Sequence, residues 1–147
     1  MEIAVLALGC FWGPEKKFGQ VNGIIRTEVG YCGGNNSKTT YEEVCSGNTN
    51  HAEVVKLEFD PKIISYNEIL EYFFKIHDPT TLNMQGPDRG TQYRSEIFYL
   101  NESQKKIAEE IINLENKKLS GKIVTKLSLL KNYCPAEEYH QKYLEKK

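Results

Sequence analysis

The stretch that most constrains this chain is an unbroken apolar run, Ile3 to Leu8, that empties into Gly9-Cys10-Phe11-Trp12-Gly13-Pro14. Apolar residues without alternation suit a central strand covered on both faces. Pro14 fits the first helical position, where a missing N–H costs nothing, and Glu15 suits the positive end of a helix dipole. A cysteine is thereby held at a strand-to-helix turn with two large aromatics beside it. Backbone N–H groups at a helix N-terminus favour negative charge, so Cys10 meets the main conditions for a thiolate of depressed pKa. Phe11 and Trp12 are awkward on such a turn unless they line a pocket or plug the core.

The remainder of the chain bounds what that turn belongs to. At 147 residues it is read as a single domain, residues 1–147, large enough for a real core. A net charge of -1 gives no electrostatic case for a nucleic-acid partner. No run approaches the roughly 18 apolar residues of a spanning helix, and no cleavable leader precedes the first strand, so the expected location is cytoplasmic, away from membranes. The four cysteines, Cys10, Cys32, Cys45 and Cys134, form no C-x-x-C pair, which argues against a zinc ribbon or a thioredoxin-like motif.

Periodicity then orders the elements. A short helix stops near Asn22-Gly23. A strand follows over 24–31, with Ile25, Thr27, Val29 and Tyr31 on one face. Residues 40–44 read as one helical turn. In the strand 51–59, Val55, Leu57 and Phe59 share a face, and Glu53 falls on that same face. Such a carboxyl either reaches solvent at a strand end or is buried with a raised pKa and suited to giving up a proton. Ser65 and Glu68 have capping-box spacing ahead of an amphipathic helix over 66–77. Residues 80–94 form a long polar segment without period, of the kind that often carries function. A strand over 95–100, a helix capped by Asn101 with Ile107, Ile111 and Leu114 on its inner face, a strand over 123–129 and a short helix over 136–144 complete the reading. The expected fold is α+β, a two-layer sandwich of helices on a mixed or antiparallel sheet with a ferredoxin-like core.

The chemistry within reach is that of a nucleophilic sulfur with a candidate proton donor, Glu53, phenolic donors at Tyr41 and Tyr93, and an acid, Asp88, in the longest loop. Attack on a sulfoxide sulfur would use all of these. A cysteine hydrolase would need a base, and His51, His77 and His140 are available without a sequence link to Cys10. A thiol peroxidase would need a cation, for which Arg26, Arg89 and Arg94 are available. A module that merely holds methionine or its sulfoxide between Phe11 and Trp12 is the non-catalytic alternative.

Residues 9–13 resemble the signature of the peptide methionine sulfoxide reductases of the A type. So do Gly30-Tyr31 with Gly33-Gly34, Tyr41-Glu42, Val44 to Gly47, His51-Ala52-Glu53-Val54, His77-Asp78-Pro79-Thr80, Asp88 with Gly90 to Ser95, and Pro135-Ala136-Glu137 with Tyr139-His140-Gln141. The resemblance implies that Cys10 is the nucleophile and passes through a sulfenic acid. It implies that Phe11 and Trp12 hold the substrate's S-methyl group and Glu53 protonates the sulfoxide oxygen. Tyr41 and Tyr93 would orient that oxygen, and Asp88 would belong to the hydrogen-bond network. The implied substrate is the S epimer of methionine sulfoxide, free or within proteins, with no metal and no organic cofactor.

Many members of that family regenerate the nucleophile with cysteines in a glycine-rich C-terminal tail. This chain ends Tyr143-Leu144-Glu145-Lys146-Lys147 without such a cysteine. Cys134 stands where the family pattern usually has an aromatic, and is kept as a possible displaced resolving thiol. The favoured expectation is a one-cysteine type, its sulfenic acid reduced by an external thiol such as glutathione, glutaredoxin, thioredoxin or dithiothreitol. Cys32 and Cys45 are read as structural.

Overall fold

A computed structural model describes residues 1–146; Lys147, the last residue of the expected domain, lies outside the described residues. The chain runs β1 (Glu2–Leu8), α1 (Trp12–Gly19), β2 (Ile24–Cys32), α2 (Tyr41–Cys45), β3 (Ala52–Phe59), α3 (Tyr66–Lys75), β4 (Met84–Gln85), β5 (Asp88–Arg89), β6 (Ser95–Tyr99), α4 (Glu102–Lys118), β7 (Lys126–Leu129) and β8 (Cys134–Pro135), with short 3-10 turns at Thr91–Tyr93, Glu138–His140 and Tyr143–Glu145. Six strands form one sheet in the order β7-β6-β1-β3-β2-β8, and β4 pairs with β5 in a separate hairpin. β6 and β7 are parallel, and the other pairs are antiparallel. The order β6-β1-β3-β2, with α1 after β1 and α3 between β3 and β6, is the ferredoxin-like β-α-β-β-α-β arrangement.

The unalternating run at the N-terminus is explained by two cores. Ala4, Leu6 and Leu8 face a large cluster with Val55, Leu57, Phe59, Ile97 and the helix residues Phe18, Ile69, Leu70, Phe73, Ala108 and Ile111. Val5 and Ala7 face a smaller one with Cys32, Ala52, Val54 and Phe98. Each buried leucine or phenylalanine removes enough apolar surface to favour folding by about 1.5–3 kcal/mol.

Local chemistry sets the element ends. Ser65 and Glu68 make the reciprocal capping box that opens α3. The Asn101 side chain caps α4 by accepting from Gln104 N–H at 2.9 Å. Gln104, Ala108 and Ile111 are buried on α4 and Ile107 is packed against the core, whereas Leu114 is exposed, so the inner stripe ends a turn earlier than expected. In β2 a bulge between Ile24 and Arg26 leaves Ile25 exposed and restores Val29 and Tyr31 to the core face. α1 starts at Trp12, which puts Pro14 third in the first turn; its missing N–H still costs nothing, because the first four N–H groups of a helix have no partner within it. α3 stops at Lys75, and His77 turns inward. Its Nδ1 donates to Phe73 O at 2.6 Å, which leaves Nε2 to accept from Ser95 Oγ at 2.8 Å.

The expected last strand shortens to 126–129, and the expected helix over 136–144 is absent. A strap of two single 3-10 turns stands in its place, because Lys142 takes a left-handed conformation (φ 51°) and side chains from elsewhere capture its backbone. Among the described residues no helix is long and apolar enough to cross a membrane.

Candidate active site

β1 is followed by Gly9, whose φ of +100° suits glycine, and a Cβ there would lie 2.8 Å from Gln85 Cβ. The turn thus brings Cys10 under the β4–β5 hairpin. Next in the chain, Phe11 is the N-cap of α1 and fully buried, its ring 5.7 Å from that of Tyr31 and 5.3 Å from that of His140. Trp12 is half-buried, stacked on Tyr143 at 3.9 Å, and its indole N–H donates to His140 Nδ1 at 3.0 Å. Since indole only donates, His140 Nδ1 carries no proton and the ring is neutral.

Glu53 arrives from β3, where it pairs with Tyr31 of β2, and is 1% exposed. Its Oε1 accepts the Phe11 N–H at 3.2 Å, while Oε2 is buried without a partner. Burial pushes its pKa up to about 8, opposed by the Phe11 N–H and reinforced by Asp88. The solvent-reaching alternative for Glu53 is therefore excluded, and at neutral pH the group is mainly a protonated acid.

Cys10 does not meet the expectation of a depressed pKa. Burial pushes its thiol up to about 11; the Trp12 N–H lowers it, and Glu53, Asp88 and Cys45 raise it. The helix N-terminus acts as anticipated, but desolvation and neighbouring acids outweigh it. The groups that act most strongly on the thiol are the Trp12 N–H, two acids and a cysteine rather than the histidine base of a cysteine hydrolase.

Tyr41 opens α2, its ring 4.5 Å from that of His140 and its N–H donating to Glu137 Oε2 at 2.9 Å. Tyr93 closes the 3-10 turn after the hairpin. Burial, then Glu53, Cys45, Asp88 and Cys10, push its pKa up to about 12, which places it in the electrostatic neighbourhood of the thiol. Asp88 lies on β5 and acts on Cys10, Glu53 and Tyr93. The structure thus brings together Cys10, Phe11, Trp12, Glu53, Tyr41, Tyr93 and Asp88. Cys134 is placed otherwise, its Sγ turned to Pro135 O at 3.6 Å and Thr39 O at 3.8 Å. Cys32 is buried with its thiol donating to Lys131 O at 3.3 Å, in keeping with a structural role. Cys45, also read as structural, is exposed at the end of α2 rather than buried, and hydrogen-bonds the Tyr41 hydroxyl. Among the described residues no cluster of His, Cys, Asp or Glu side chains forms that could hold a metal ion.

Sequence reasoning named His140 as a possible base and set both His140 and Glu137 in the family pattern, but gave neither a structural part in the site. Glu137 accepts both the Tyr31 hydroxyl at 2.8 Å and the Tyr41 N–H, so it links β2 to α2. Both residues lie in the strap misread as a helix. The available signal was the three aromatic and histidine positions, Tyr139, His140 and Tyr143, in so short a segment.

An α+β domain with a half-buried thiol, a neutral carboxyl near it and an aromatic wall is the setting of a thiol-dependent enzyme. Comparison with known proteins makes this specific. A family model, peptide methionine sulfoxide reductase, matches residues 2–147. A peptide methionine sulfoxide reductase MsrA of Pelagibacter ubique is 74% identical over 147 residues, covering all of both chains. The reduced form of Mxr1 from Saccharomyces cerevisiae superposes with a TM-score of 0.95 at 42% identity, over 99% of this chain and 85% of that one. Mxr1 in complex with Trx2 aligns with a TM-score of 0.69 at 29% identity, over 97% and 84%. The chain belongs to the peptide methionine sulfoxide reductase family. It is an oxidoreductase that reduces oxidised methionine and serves protein repair.

Proposed function

We propose that residues 1–147 act as one catalytic domain in which Cys10 attacks the sulfur of methionine-S-sulfoxide, free or in proteins, while Glu53 protonates the departing oxygen. The observation that carries this is the Glu53 carboxyl, buried, protonated at neutral pH, anchored by one oxygen to the turn that bears Cys10 and with the other oxygen unpartnered. A buried polar atom without a partner is costly, and a sulfoxide oxygen placed there would relieve that cost. Phe11 and Trp12 supply the apolar wall for the methyl group, and the Tyr41 and Tyr93 hydroxyls orient the oxygen. Asp88 tunes the field at Cys10 and Glu53.

The Cys10 thiol loses its proton to solvent, assisted by the Trp12 N–H and by the positive sulfur of the bound sulfoxide. The thiolate forms a bond to that sulfur as Glu53 transfers its proton to oxygen. The hydroxyl passes to Cys10 Sγ, the thioether leaves, and Glu53 recovers a proton from solvent. Cys10 is oxidised to a sulfenic acid, and the sulfoxide is reduced to methionine. An external thiol then returns the enzyme to its starting state. Thioredoxin is the favoured donor, supported by the Mxr1–Trx2 complex; glutaredoxin with glutathione, and dithiothreitol in vitro, have the same chemistry. The free-thiol state of all four cysteines suits a reducing cytoplasm. Turnover compared side by side with thioredoxin, glutaredoxin plus glutathione, and dithiothreitol tests the donor. Efficient turnover with glutaredoxin and none with thioredoxin would reverse the preference.

A further inference from the structure

We propose that Glu15 is a positioning residue for the substrate wall, acting through the C-terminal strap; the inference rests on the reading of Trp12 as that wall. Glu15 lies three residues after Trp12 on α1, so both project from one face of the helix. Each clasps the strap at nearly adjacent residues. The Trp12 indole donates to His140 Nδ1 at 3.0 Å, and Glu15 Oε1 accepts the Lys142 N–H at 2.7 Å. Glu15 Oε2 accepts the Thr27 hydroxyl at 2.8 Å, with Lys142 Nζ at 3.9 Å.

An acidic residue in the first turn of a helix is ordinarily solvated and serves the dipole. Glu15 is instead 2% exposed, with both oxygens committed to β2 and the strap. The strap needs such an anchor. Among the described residues its own backbone supplies only isolated turns, His140 N–H to Glu137 O and Gln141 N–H to Glu138 O before Lys142, and the Glu145 and Lys146 N–H groups to Lys142 O after it. Lys142 sits at φ 51°, a conformation that a lysine keeps only when its surroundings hold it. The second anchor is Gln141, whose amide accepts the Val29 N–H and donates to Val29 O, both at 2.9 Å, continuing the edge of β2 beyond β8. The strap carries His140 against the indole N–H and Tyr143 against the indole face. Release of Lys142 therefore loosens both supports of Trp12, with Gln141 still holding the strap to β2.

The test uses single-turnover reduction of dabsyl-methionine-S-sulfoxide as a function of its concentration, with the fluorescence of Trp12, the one tryptophan of the chain. Glu15→Ala should raise the half-saturating concentration about ten-fold, keep the limiting rate within about three-fold, and shift the emission to the red. Glu15→Gln, whose amide oxygen still takes the Lys142 N–H while its nitrogen donates to Thr27, should restore all three. Gln141→Ala loosens the same strap from the β2 side and should reproduce the defect; it carries the test if Glu15→Ala does not fold. Wild-type half-saturation and emission in the variant that folds, or a Glu15→Gln enzyme as impaired as Glu15→Ala, overturns the inference. Trp12→Ala separates the two readings. Unchanged half-saturation there overturns the wall itself and the inference with it. A raised value beside a wild-type Glu15→Ala overturns the inference alone.

Discussion

In the proposed mechanism Cys10 and Glu53 hold one proton too many for attack in the resting enzyme, and this shapes how the site responds to pH. With the acid at about 8 and the thiol at about 11, the reactive form has the thiolate ionised and the carboxyl still protonated. The population of that form rises with pH to about 8, is level to about 11, and falls beyond. The expected kcat/KM profile of the reductive half-reaction therefore climbs and then flattens near pH 8. A fall between pH 6 and 8 would contradict it. Glu53→Gln should slow single-turnover reduction by about 10²-fold or more. It should also stabilise the fold in alkali. The folded pKa of Glu53 is raised from 4.5 to about 8, so its stabilising contribution is full below the unfolded value and is lost as pH rises through the folded one. Glu53→Gln should gain about 2–4 kcal/mol at pH 8 and nearly none at pH 4, as read by denaturant unfolding.

Turns and edges decide the site at the scale of elements. Gly9→Ala would force a Cβ at φ +100° against Gln85, displacing the β4–β5 hairpin that carries Asp88. It should cost about 1–3 kcal/mol and lower activity together with stability. The buried Arg94 guanidinium pairs with Glu96 at 2.6 Å and donates to Thr91 O at 2.8 Å and Asn50 O at 3.1 Å, bracing the Tyr93 turn against the approach to β3. Arg94→Met should cost about 3–5 kcal/mol by leaving Glu96 buried and unpaired, and Arg94→Met with Glu96→Leu should recover most of it. Glu53 was legible as a misfit because strand alternation is strict and a carboxyl among Val55, Leu57 and Phe59 stands out, but alternation left open whether it reached solvent or was buried. The capping of α3 and α4 was legible because it is local. The bulge at Ile25, the exposure of Leu114 and the strap were not. Each depends on partners distant in sequence, such as Val29 and Glu15 for Gln141 and Lys142. The depressed thiol failed for the same reason, since the turn was visible and the burial and acids around it were not.

For the whole molecule, the sheet places four separate regions around one sulfur: the β1–α1 turn, β3, α2 with the strap, and the β4–β5 hairpin with its following 3-10 turn. In the proposed mechanism Cys10 takes the oxygen from the substrate. This step is tested most directly by treating the enzyme with methionine-S-sulfoxide in the absence of any thiol, counting methionine released and trapping the oxidised sulfur with dimedone. The expected result is at least one methionine per wild-type enzyme, oxidation of Cys10 as an adduct or disulfide, and no release from Cys10→Ser. Methionine release retained in Cys10→Ser would contradict it.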